Sequence, residues 1–140
     1  MKIQVKDIQS VFAGINEAAE IGLPAKLNYW LARTAKQLGI EMQTLQESRQ
    51  KLLEEHAKKD DEGKPVILVD KDDEGKDKPE TQRYDLVDEA AFTAAFESIL
   101  EEEIEITMDA LKPELFDELE EKGILMPVKV TYKLLPLFEE

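Results

Sequence analysis

The sequence predicts an α+β fold: an antiparallel helix pair with one long helix, a β-hairpin at its tip and a small sheet near the termini. Three observations predict it. An apolar stripe at helical spacing runs from Pro24 to about His56. Two β-branched or aromatic runs flank repeated Gly-containing turns between residues 58 and 83, and short alternating segments lie near both ends. At 140 residues the chain suits one domain, 1–140, able to bury about two thirds of its unfolded surface.

Taken in order, Ile3 and Val5 alternate with polar neighbours from Lys2 to Val5, the period of a half-buried strand. Asp7 is placed to cap a helix carrying Ile8, Val11, Phe12, Ile15 and Ala19 on one face, with Gly22 as its stop. Pro24 opens the next helix, where its missing N–H is not needed. In that helix Leu31, Leu38, Leu45 and Leu52 recur every seven residues, beside Leu27, Ala35, Met42 and Leu53. At about 1.5 Å per residue such a rod is roughly 50 Å long. Gly39 interrupts it at a cost of about 1 kcal/mol. A helix of this length needs a partner helix or a second chain, so a homodimer is one expectation.

Residues 58–83 read as a β-hairpin arm. Asp-Glu-Gly-Lys occurs twice, at Asp61–Lys64 and Asp73–Lys76, each with a glycine suited to a turn. Pro65-Val66-Ile67-Leu68-Val69 and Arg83-Tyr84-Asp85-Leu86-Val87 are the two strands, and 70–82 is expected to be a mobile charged loop. Asp88 caps a third helix with Phe92, Ala95, Phe96, Ile99 and Leu100 on one face, suited to pack against the long one. Ile104, Ile106 and Met108 alternate as in a strand. A short helix follows, with Pro113 near its start, Leu115, Phe116 and Leu119 inward, and Gly123 as its stop. Ile124–Tyr132 reads as a final strand, and Tyr132–Phe138 as completing a sheet with Lys2–Val5.

The charge is unevenly spread. Residues 1–59 carry nine Lys/Arg against seven Asp/Glu, whereas 60–140 carry nine against twenty-five, within a net charge of −14. Such a surface repels phosphate backbones and anionic membranes, so neither direct nucleic-acid binding nor membrane binding is expected. A partner steered by charge would present a basic surface. No apolar run approaches the roughly 18 residues of a membrane span, and the absence of cysteine fits a reducing cytoplasm.

Catalytic and metal chemistry find little support, and no cofactor is expected. His56 is the single histidine and stands among Glu54, Glu55, Lys58 and Lys59 as a solvated side chain. One His without Cys cannot build a typical zinc site. Asp70, Asp72, Glu74 and Gly75 imitate the start of a calcium loop, but Lys76, Pro79 and Thr81 break the pattern. Glu101, Glu102, Glu103 and Glu105 point in different directions at a helix end, which suits a solvated face rather than acid–base work. Apolar contact is the remaining tool. Tyr29 and Trp30 at the start of the long helix, Val66, Ile67 and Leu68 in the arm, and Tyr132, Leu134, Leu135, Leu137 and Phe138 in the tail are the candidate contact residues. Trp30 also suits the core.

"LPAKLNYWLART", a long helix ending "ESRQKLLEEHAKKDDEGK", and then "YDLVDEAAFTAAFESILEEEIEI" together resemble a family of small, functionally uncharacterised proteins of tailed bacteriophages. The matching residues are Leu23, Pro24, Lys26, Arg49, Lys51, Leu52, Asp61, Gly63, Asp88, Glu89, Ala91, Phe92, Phe96, Leu100, Glu103 and Glu105. They are caps, turns and core positions spread over about residues 20–106, while 65–83 and the C-terminal segment depart from the pattern. The resemblance implies a phage origin and transfers no catalytic residue. It implies a non-enzymatic accessory protein in the bacterial host cytoplasm, meeting a host or phage protein, with a host immune factor it inhibits or triggers among the candidates. A virion or assembly component and an acidic nucleic-acid mimic are the alternatives.

Overall fold

The computed structural model describes residues 1–139. The fold is mixed α+β, in the order β1 (Lys2–Gln4), α1 (Ile8–Ala18), α2 (Ala25–His56), β2 (Ile67–Leu68), β3 (Arg83–Tyr84), α3 (Glu89–Leu100), β4 (Glu103–Glu105), α4 (Leu115–Glu121) and α5 (Val128–Leu134). The chain divides into two compact units. One is Met1–Thr44 together with the chain from Leu100 onward, and the other is Leu45–Ile99. Among the described residues no helix is long and apolar enough to cross a membrane.

In the first unit β1 pairs antiparallel with β4, Ile3 opposite Ile104. Val5 N–H donates to Glu102 O at 2.8 Å and Ile106 N–H to Met1 O at 2.8 Å, lengthening the ladder at both ends. The partner of the N-terminal strand is therefore residues 103–105 and not the C-terminal segment. That segment is helical: α5 continues into a 3-10 turn at Leu135–Leu137. Its β-branched residues favour a strand locally. Packing prevails, because a helix places Val130, Leu134 and Leu137 on one side and buries all three.

α5 lies on α1, the most closely packed helix pair in the molecule. Gly14 makes this approach feasible, since a Cβ there would lie 2.8 Å from Lys133 Cβ and 3.1 Å from Leu134 Cδ2. On the rest of α1, Ile8, Val11, Ile15 and Ala18 are buried; Ala18 takes the place expected for Ala19. Asp7 makes no side-chain cap, because residues 5–7 form a 3-10 turn that leads straight into the helix. α2 starts with Pro24 O accepting from Asn28 N–H at 3.0 Å. Leu27, Leu31, Thr34 and Leu38 are its buried residues. The Thr34 hydroxyl donates to Trp30 O at 3.0 Å, which satisfies it inside the core.

The second unit is built from turns and ladders. After α2, Lys58 N–H donates to Asp85 O at 2.7 Å and Val87 N–H to His56 O at 2.8 Å, and β2 pairs with β3 with Ile67 opposite Tyr84. The duplicated turn is longer than its four-residue signature. Lys-Asp-Asp-Glu-Gly-Lys stands at both 59–64 and 71–76, and the two copies fold alike. Asp60 Oδ1 accepts from the N–H groups of Glu62 and Lys64, and Asp72 Oδ1 from those of Glu74 and Lys76, all at 2.9 Å. Gly63 and Gly75 take φ of 80° and 81°, the left-handed region that glycine adopts at no steric cost. α3 is capped as expected, with Ala91 N–H donating to Asp88 Oδ1 at 3.2 Å. Its Phe92 stacks on Phe96 and meets the edge of the His56 ring, so His56 is half-buried and not the solvated residue its charged neighbours suggest.

Candidate functional site

α5 has two apolar faces. The inner one carries Val130, Leu134 and Leu137. The outer one carries Val128, Tyr132 and, in the turn after the helix, Leu135, spaced i, i+4, i+7. Val128 is 85% and Tyr132 73% exposed, Leu135 is about half exposed at 49%, and Leu125 just before the helix is 76% exposed. Exposed apolar residues scattered singly need no explanation, whereas a row on one helix side is the pattern of a contact surface. A clamp sets the face: Lys133 Nζ donates to Glu17 Oε1 on α1. That hydrogen bond, with the charges of Lys133 and Lys129, holds the Glu17 carboxyl below its ordinary range against the opposing effect of burial. Lys129 is exposed on α5 between Val128 and Tyr132, and the carboxylates lie on α4. Leu125 shares a hollow with Glu120, and Asp117, Glu120 and Glu121 of α4 surround another.

The candidate contact residues therefore separate. Tyr132 and Leu135 are on the outer face, whereas Leu134 and Leu137 are core, which corrects their assignment as contact residues. Phe138 is half-buried and stacks on Phe116 at 4.6 Å between ring centres. Trp30 is half-buried and lines an apolar cleft of about 270 Å³ with Pro24, Leu27, Leu111, Leu115 and Leu119. Tyr29 is exposed, with the Arg33 guanidinium 5.8 Å from its ring centre. In the second unit Val66 is half-buried, and Ile67 and Leu68 are exposed on the hairpin. Leu125 and Val128 are contact candidates that the strand reading concealed. Reading 128, 132 and 135 against 130, 134 and 137 as two helical series after Pro127 would have found Val128.

The carboxylates have local tasks. Asp72 ties its own turn, and Asp70 pairs with Arg83 at 3.2 Å. Glu105 receives the Met1 amine at 3.4 Å. Among the described residues no group of three or more His, Asp or Glu side chains converges as a metal site would require. No family model, curated protein or solved structure matches this chain.

Proposed function

We propose that the chain is a non-enzymatic accessory protein of a bacteriophage, working in the host cytoplasm by seating the outer face of α5 in an apolar groove of another protein. The observation that carries this reading is the row Val128, Tyr132 and Leu135, left in solvent on a helix whose other side is core. The net charge of −14 favours a partner with a basic surface around that groove. The partner is a host or phage protein, and a host immune factor fits the setting that the sequence resemblance implies.

The test compares two baits in infected-cell lysate, the natural chain and a V128S/Y132S/L135S variant. All three positions are at least half or nearly half exposed, so the variant keeps the inner face of α5 and its fold. The expected result is a protein retained by the natural chain and lost from the variant, its binding weakened by added salt. Identical profiles for the two baits would remove the reading.

A further inference from the structure

The second unit holds a cleft of about 470 Å³, within the usual size of small-ligand sites. Its chemistry runs against the rest of the molecule. The chain carries 32 acidic residues and only three arginines, Arg33, Arg49 and Arg83. Two of the three, Arg49 and Arg83, line this one cleft. Both Arg83 Nη atoms hold Asp70 Oδ1 at 3.2 Å, and its Nη1 also reaches Thr81 O at 3.2 Å, which fixes that side chain. Arg49 pairs with no carboxylate among the described residues.

Leu53, Leu86 and Phe92 give the same cleft apolar and aromatic surface. The Tyr84 hydroxyl accepts from Gln50 Nε2 at 2.6 Å, which places a second aromatic ring at the wall. Glu89 is the one carboxylate in the lining. It disfavours a bare polyanion and suits a ring that brings an N–H donor of its own. An unpaired guanidinium beside stacking surfaces is the equipment for a flat, anionic ring, since the planar fork matches carboxylate and phosphate and aromatic faces take the ring.

We propose that this cleft binds a small amino-substituted aromatic anion, the acidic group on Arg49 and the ring against Tyr84 and Phe92. The site is separate from the α5 surface, and the V128S/Y132S/L135S variant is expected to keep it. The test is titration of the full chain followed by amide chemical shifts in ¹⁵N spectra. Adenosine monophosphate and anthranilate are the probes for phosphate and carboxylate; adenosine and inorganic phosphate are the controls.

Saturable shifts at Gln82, Arg83 and Tyr84 with either probe are expected, and the better probe identifies the acidic group. R49A is expected to weaken binding at least tenfold, and R33A, outside the cleft, to leave it unchanged. Four results overturn the proposal: no saturable shift with either probe, adenosine binding as well as its monophosphate, inorganic phosphate binding as well as both probes, or equal losses in R49A and R33A.

Discussion

From Met1 to Thr44 and again from Leu100 onward, large apolar side chains leave solvent in series. Between Leu45 and Ile99 the only hydrophobic residue to do so among the described residues is Ala57. The first unit is ordered by side-chain burial, the dominant favourable contribution to folding. The second is ordered by backbone bonds, Asx turns and partly covered rings, which satisfy polar groups while removing less apolar area from water. α2 carries one leucine series through both, yet Leu31 and Leu38 are buried whereas Leu45 and Leu52 are only half covered. The same repeat has different energetic worth according to what faces it.

Replacing leucines of that series should break the comparison most directly. Leu38 is fully buried, so L38A is expected to cost about 2–5 kcal/mol. L52A, at a half-covered position, is expected to cost about 1 kcal/mol. Chemical denaturation of the two variants measures the difference, and equal losses would mean that burial does not separate the units.

Two helical glycines sharpen the comparison within the first unit. At Gly14 an added methyl collides with α5, and the steric cost of about 1–3 kcal/mol exceeds the helix-propensity gain of up to about 1 kcal/mol. G14A is therefore expected to destabilise by about 1–2 kcal/mol. Gly39 sits in mid-helix, and its nearest atom is Phe12 Cε2 at 3.9 Å, ordinary contact. G39A is expected to stabilise by about 0.5–1 kcal/mol. Thermal unfolding should move in opposite directions for the two variants.

The smallest effect belongs to the clamp between α1 and α5. The Glu17 carboxyl is held below its ordinary value of 4.5 when folded. Its contribution to stability is then present above that value and lost as pH falls through the lower folded value. Against a melting profile from neutral to acid, E17Q should differ from the natural chain near neutrality and converge with it at the acid end. A constant gap across the range would show that the ion pair contributes nothing pH-dependent.

Three helix boundaries with a cap or stop written beside them were legible from residues alone, whereas α1 has no Asp7 side-chain cap and ends at Ala18, short of Gly22. Pro24 before α2, Asp88 before α3 and Gly123 after α4 all stand where the helix boundaries fall. The hairpin was legible because its turns are local. What escaped was set by distant residues. Val128–Leu134 has a strand-like composition, yet it is a helix that packs closely on α1 at Gly14 and buries Val130 and Leu134. The partner of β1 is some hundred residues away, and two three-residue strands leave too short a pattern to specify their pairing. For the same reason the contact residues were recognised as a segment, while their division into core and outer face needed the helix.

The twin Lys-Asp-Asp-Glu-Gly-Lys turns are self-contained, each closing its own backbone with its own aspartate. A turn whose backbone is closed by its own aspartate can be copied or deleted whole, and lengthening an existing loop adds little entropy. The arm is accordingly where this protein can change length by spare parts, gaining or shedding a turn while Ile67 stays opposite Tyr84.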